Sequence, residues 1–481
     1  DGNTYVINEK NISLIKNDLP KNADDFEYQK VLFTNSDLKT TKINDIAFSK
    51  DGKIWFISWN EAIGYIEPKN NNIKFIKRFL NSGSHIYGRY RQMLIDKTGV
   101  LWIATFRGGL HKMNLYPKPF SSIINNKTSK DKIRDVNQIT GNDKGHVWFG
   151  TYNNGLKDLK IANKHLNLKT IENKQGNLNS DSQVMSCFYD TSDNSLWTGS
   201  IDSDGIQKHM IDPKGNIIKS TLYPSGKNAY PLLRADIIQN DNYGNLWFGD
   251  FVNGGIVRKE KPYSKNTFKY LNDNELKDAK ISCIYSSSNY FWIATKTKGV
   301  FRLEIDENRN TISKLKIKDP KNILQKNMAF AIHEDSKKNI WIGTFGAGLL
   351  KLSTKNQKTS SYQYRYYNTN HGLSNNAVYT IEEDESHNLW MSTDKGISML
   401  DRPTDLFRNF NVDDGLQDNN FRKYASWKSK DGMLFFGGEK GLTFFNPREI
   451  VIKKDKQNVN ITKFKIGDDE FNINKYVYRK N

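Results

Sequence analysis

An all-β repeat fold is predicted for this 481-residue chain by three features: one motif recurs along most of its length, the aromatic anchors of the copies are evenly spaced, and short apolar runs alternate with polar turns. The motif reads Asp-x-x-Gly-x-Leu-Trp-Ile-Gly-Thr-x-x-Gly-Gly-Leu. Its anchors are Trp55, Trp102, Trp148, Trp197, Trp247, Trp292, Trp341, Trp390 and Phe435, with successive separations of 45 to 50 residues. That is the length of one four-stranded propeller blade. A chain this long also exceeds what one hydrophobic core usually organises, which favours repeats or several domains.

Within a unit the elements follow in a fixed order. A first apolar run such as Val378–Ile381 leads through a polar turn into the Trp run, and a Gly-containing turn leads to a third run such as Gly396–Leu400. The fourth run is aromatic and polar, as in Tyr362–Tyr367 or Thr267–Tyr270, and suits an outer edge strand. No helical periodicity of useful length appears. The Trp series is expected to fill the wedge between neighbouring blades as core.

Ring closure is expected where a blade lacks its own fourth strand. Proline, which cannot donate to a ladder, follows the third run at Asn446-Pro447 and again at Tyr116-Pro-Lys-Pro119. If Phe120–Ile124 pairs with the Phe435 blade, residues 119–447 hold seven anchors and form a complete seven-bladed β-propeller. Residues 1–118 are then the last blades of a preceding propeller, which cannot bury their faces alone, so an upstream portion or a neighbouring surface is expected. Residues 448–481, with runs at Val459–Ile466 and Glu470–Asn474, read as the start of a β-sandwich.

Apolar residues at 37%, aromatics at 12% and charged residues at 26% argue against disorder and against a membrane bundle. The longest apolar stretches are strand-sized, so no spanning helix is expected. The N-terminus opens mid-pattern, and a secretion signal is expected to be absent or removed. Lys plus Arg total 72 against 53 acids, a net +19, which favours polyanionic partners or reflects lysines spread over solvated faces. Cys187 and Cys283 lie in apolar runs and read as buried free thiols.

The units Trp102–Leu110 and Trp341–Leu349, with the entry His371–Val378, resemble two-component regulator propeller repeats. Gly441–Pro447 followed by Val459–Phe464 is similar to that family's junction with a Y_Y_Y-type β-sandwich. The resemblance spans roughly residues 43–447. It implies a periplasmic sensor region of a hybrid two-component system of the kind found in glycan-degrading Bacteroidetes, a receptor for polysaccharide breakdown products. It implies anchoring through a membrane helix outside this stretch and signalling to a histidine kinase. The copies at Trp55 and Trp292 depart from the pattern in their turns without disturbing the phase.

In a four-stranded meander, the turn from second to third strand and the link from fourth strand to the next blade share one rim. The turns place Arg107, Tyr152 and Phe345 there, and the links place Arg89, Arg91, Arg134, Arg234, Arg422 and Lys423. Guanidinium groups grip carboxylates and sulfates, and aromatic rings stack on sugar faces, so this rim suits an acidic oligosaccharide. The competing reading pairs Arg134 with Asp135 and Arg234 with Asp236 for structure alone. A propeller-type polysaccharide lyase or hydrolase is a second alternative, but the eight histidines show no metal spacing or convergent set. His146 and His387 are expected in turns on the opposite face. A protein-interaction scaffold is a third alternative, compatible with homodimerisation. Lysines are dispersed rather than gathered with aromatics, so no nucleic-acid partner is expected. No catalytic residue, metal or cofactor is assigned.

Overall fold

The turn opened by the motif's Asp and the Trp that follows it form one hydrogen-bonded unit, with Gly99, Gly244, Lys338 or His387 at the left-handed position between them. In the computed structural model Asp384 Oδ1 accepts from the Asn388 backbone N–H at 2.9 Å, and Oδ2 accepts from Trp390 Nε1 at 2.8 Å. Asp96, Asp241 and Asp335 hold Trp102, Trp247 and Trp341 through the same 2.8 Å bond. One carboxylate therefore satisfies turn amides and an indole together. Six residues ahead of Trp55, Trp148 and Trp197 stand Ser49, Asn142 and Thr191, and these three buried indole nitrogens have no partner among the described residues. Asp384→Asn is expected to cost about 1–2 kcal/mol, read as a lowered Tm; an unchanged Tm would remove the bond from the account of the motif.

The structure describes residues 3–7, 11–16, 30–34, 43–58, 63–67, 72–75, 89–115, 120–124, 133–162, 165–171, 178, 181–201, 205–226, 230–261, 263, 268–271, 273–305, 311–353, 362–450, 464–466 and 469–471. Among these it is almost entirely antiparallel β-structure, with one four-residue α-helix at Ile323–Lys326. Seven four-stranded sheets lie between residues 121 and 445. Six are sequential meanders, and the seventh joins Ser121–Ile124 to Gly441–Phe445, Leu434–Gly438 and Phe421–Lys428, with Ser121 opposite Phe444. Chain segments distant in sequence thus share one sheet.

The first strands of these sheets stand side by side in chain order, and Phe421–Lys428 adjoins Val136–Gly141 to complete the circuit. A cavity of about 520 Å³ along their axis is lined by residues of all seven, from Gln138 to Lys428. The arrangement is a β-propeller. Each anchor packs between its own sheet and the next: Trp341 clusters with Val378 and Met391, and Trp390 with Phe421 and Phe436. A small residue two positions after the anchor permits that approach: glycine after Trp148, Trp197, Trp247, Trp341 and Phe435, Ala294 after Trp292 and Ser392 after Trp390. A Cβ on Gly343 would fall 2.7 Å from Val378 Cγ1 of the following sheet.

Ahead of this ring, Ile43–Phe48, Ile54–Ser58, Ile63–Glu67 and Asn72–Phe75 form a further four-stranded sheet, and Arg89–Ile95, Val100–Phe106 and Gly109–Asn114 a three-stranded one. Asn3–Ile7, Asn11–Lys16 and Lys30–Thr34 make another three-stranded sheet. Phe464–Ile466 pairs with Asp469–Phe471, whereas the remainder of 451–481, including most of the expected sandwich runs, lies outside the described residues. Cys187 and Cys283 are buried free thiols, and burial pushes both up to about 12. His146 departs from its expected turn position. It opens the strand His146–Thr151, buried, with Nδ1 3.0 Å from Asp158 Oδ1 and its ring stacked on Trp148.

Candidate functional site

Where the first strands begin, the turns between second and third strands converge on the axis and build an aromatic mouth. Phe330 sits at the start of Ala329–Glu334, with its ring centroid 5.8 Å from both Phe345 and Tyr379 and 6.2 Å from Phe251. Phe251 and Phe345 belong to the turns of two different sheets and Tyr379 to a third, so three sheets supply one platform. Phe345 is 45% exposed and offers its face to solvent. Tyr379 donates its hydroxyl to Asp394 Oδ1 at 2.9 Å, and burial, reinforced by that carboxylate, raises the phenol well above its ordinary value.

Lys423 crosses the mouth with its Nζ 3.2 Å from the Phe251 ring centroid and 5.8 Å from that of Phe330. A cation over aromatic faces is held by their quadrupoles but keeps its hydrogens available to an anion. Burial pushes this ammonium down to about 8; Asp236 opposes the shift, and Arg234, Lys296 and Arg422 add to it. Lys296 also approaches the Phe251 ring, its Nζ 5.6 Å from the centroid. Deeper in the channel, Glu382 accepts from Ser426 Oγ at 2.7 Å and burial pushes its carboxyl up to about 7. His333 lines the same channel, and burial holds it down to about 4.

The residues singled out from the sequence separate into two groups. Arg234, Phe345, Arg422, Lys423 and Tyr152 belong to the rim of the seven-sheet ring. Arg234 is tied to Asp236, Nε to Oδ1 at 3.1 Å, as the structural alternative expects. Asp135 does not pair with Arg134. It accepts from Arg422 instead, while its carbonyl takes the Tyr152 N–H at 3.2 Å, so the last and first sheets are linked across the rim. Arg134 is left exposed, with no ion-pair partner among the described residues. Arg89, Arg91 and Arg107 lie on the three-stranded sheet before the ring. Arg91 and Arg107 flank the Phe106 ring at 5.1 and 5.2 Å, and no described contact joins them to the mouth.

Sequence reasoning missed Phe330, Tyr379 and Lys296. The first two stand at the second position of an apolar run, where an inward-facing residue reads as core; the closed ring turns that face into a channel wall. Among the described residues, no group of His, Cys, Asp and Glu is placed to hold a metal ion, and no helix is long and apolar enough to cross a membrane.

Residues 323–346 and 372–395 match the family described as two component regulator propeller. These two stretches are similar to two-component regulator propeller repeats. These two matched stretches contain Trp341 and Trp390, the units whose Asp–Trp bonds are described above. The fold is similar to that of the extracellular domain of the putative hybrid two component system BT3049 from B. thetaiotaomicron, with a TM-score of 0.65 at 22% identity over 98% of this chain and 60% of that one. It is also similar to PorZ, a bacterial surface component of the type-IX secretion system of Porphyromonas gingivalis, with a TM-score of 0.52 at 14% identity over 92% and 61%. The chain therefore spans about 60% of the length of each of these proteins. No curated protein matches it.

Proposed function

We propose that this chain is the extracytoplasmic sensor region of a hybrid two-component system and that the mouth binds a polysaccharide-derived oligosaccharide carrying acidic groups. The observation that carries the reading is the joint presence of an open aromatic platform, Phe251, Phe330, Phe345 and Tyr379, and a lysine laid across it. Rings of this kind take the apolar face of a sugar, and the ammonium takes its carboxylate or sulfate. Arg422 and Arg234, already engaged by Asp135 and Asp236, serve to hold the rim in shape, whereas Lys423, Lys296 and Arg134 supply the uncommitted charge. In this reading residues 119–447 are the sensing propeller, 1–118 belong to a preceding propeller and 448–481 open a sandwich. The receptor is periplasmic, anchored in the inner membrane, homodimeric and coupled to a histidine kinase. Its role is binding rather than catalysis.

Calorimetry with uronate-containing and neutral oligosaccharides of equal length tests this. Binding is expected only for the acidic series, weakened by salt and about tenfold by Lys423→Met. The pH profile has a defined sign. Lys423 is protonated below about 8, so affinity is full there and falls as pH rises through that value. Equal affinity for neutral glycans, or a flat profile between pH 7 and about 9, would discard the charge argument.

A further inference from the structure

The outer wall between two blades carries a second cavity. Trp341, Lys351 and Arg365 occupy one row across three paired strands, Trp341 opposite Lys351 and Lys351 opposite Arg365. Lys351 Nζ lies 5.4 Å from the Trp341 ring centroid, and Arg402 of the following sheet approaches the same indole at 5.1 Å. These groups, with Lys337 and Asp405, line a cavity of about 410 Å³. Arg402 is paired with Asp335 at 2.8 Å and Arg365 with Asp405. Lys351 has no hydrogen-bond acceptor and no ion-pair partner among the described residues, although it is half-buried beside two guanidinium groups. Two cations directly opposite each other on neighbouring strands repel, and burial, then Arg402 and Arg365, depresses the ammonium, with Asp335 and Asp405 opposing the shift.

The repeat itself contains the solution to that repulsion. In the blade of Trp247 the corresponding row is Trp247, Arg258 and Lys269, again two cations face to face. There Glu260, two residues beyond Arg258, accepts from Arg258 at 3.0 Å and from Lys269 at 2.9 Å. In the blade of Trp197, Lys208 is neutralised by Asp193 at 2.6 Å. The position two residues beyond Lys351 is Ser353, and the position four residues ahead of Trp341, where Asp193 stands ahead of Trp197, is Lys337. Both carboxylates that neutralise those two rows are thus replaced in this one, where Asp405 pairs with Arg365 and leaves Lys351 without an ion-pair partner among the described residues.

We propose that the Trp341–Lys351–Arg365 groove is an oxyanion-binding site, taking from solution the carboxylate or sulfate group that Glu260 supplies internally one blade pair away. Lys351 is the primary donor, and Arg365 and Arg402 flank the anion. The site is separate from the axial mouth and does not depend on what the mouth binds.

Titration of the full chain with inorganic sulfate and, in parallel, with glucuronate tests the assignment by calorimetry. Saturable binding of either is expected, with glucuronate alone indicating that the anion must be borne by a sugar. Lys351→Met should weaken it at least about tenfold, and Lys423→Met in the mouth should leave this component unchanged. Ser353→Glu, which restores the internal carboxylate, should abolish binding while keeping or raising Tm, and so tests the site even if Lys351→Met folds poorly. Absence of saturable binding, or binding undiminished in both Lys351→Met and Ser353→Glu, would overturn the proposal.

Discussion

Trp247→Ala is expected to lower stability by about 3–5 kcal/mol, the largest effect of any single truncation considered. Trp247 is fully buried and clusters with Ile237 of its own sheet and with Ile281, Phe291 and Ile293 of the next, its ring centroid 4.6 Å from that of Phe291. Truncation leaves a cavity at the joint between two sheets rather than inside one, where the rigid strands on either side can collapse only in part. It also strips a donor from Asp241, whose Oδ2 receives the indole N–H at 2.8 Å, and it removes the surface on which Arg258 rests at 5.7 Å. Trp247→Phe should recover the apolar part and leave the carboxylate short of one bond, giving an intermediate Tm. Leu406→Ala, at a side chain 63% exposed, should change stability by no more than about 0.5 kcal/mol. A Trp247→Ala protein with the Tm of Leu406→Ala would contradict the interface role of the anchors.

The anchors were legible because their function is local and repeated: Asp and Trp at a fixed offset, around a left-handed turn residue, make one hydrogen-bonded turn, and that turn leaves the same trace at Asp96, Asp241, Asp335 and Asp384. The mouth was legible only in part. Phe345 and Lys423 could be placed at the rim from the phase of the strands alone, but which cation meets which carboxylate is set by the ring as a whole. Asp135 lies beside Arg134 in sequence, yet its backbone, in the left-handed region at φ 50°, carries the side chain to Arg422 of the last sheet. Sequence adjacency favoured the wrong pair. Arg234 and Asp236 meet as adjacency suggests, because both belong to one link. Arg89, Arg91 and Arg107 satisfy the same strand phase as the rim residues but sit on another sheet, and phase carries no information about which sheets share an axis.

Gly437→Val is expected to cost about 3 kcal/mol and to act on the seam of the ring. A Cβ at Gly437 would lie 2.4 Å from Val136 Cγ1 and 2.9 Å from Ala425 Cβ. Val136 begins the first strand of the first sheet, whereas Gly437 and Ala425 belong to the last, so the clash falls where chain segments distant in sequence must meet. Gly343 stands in the same relation to Val378 at an ordinary junction, with its Cβ 2.7 Å from Val378 Cγ1. There the two sheets are also joined directly by the chain and have little freedom to separate. At the seam, the added side chain can be relieved by parting the first and last sheets, which also strains the pairing of Ser121–Ile124 with Gly441–Phe445. Gly437→Val and Gly343→Val should therefore lower Tm alike but differ under limited proteolysis, only the former releasing a cut near residues 120–124. Identical digestion patterns would mean that the seam is no weaker than the other junctions, and an unchanged Tm in Gly437→Val would mean that the first and last sheets do not meet there.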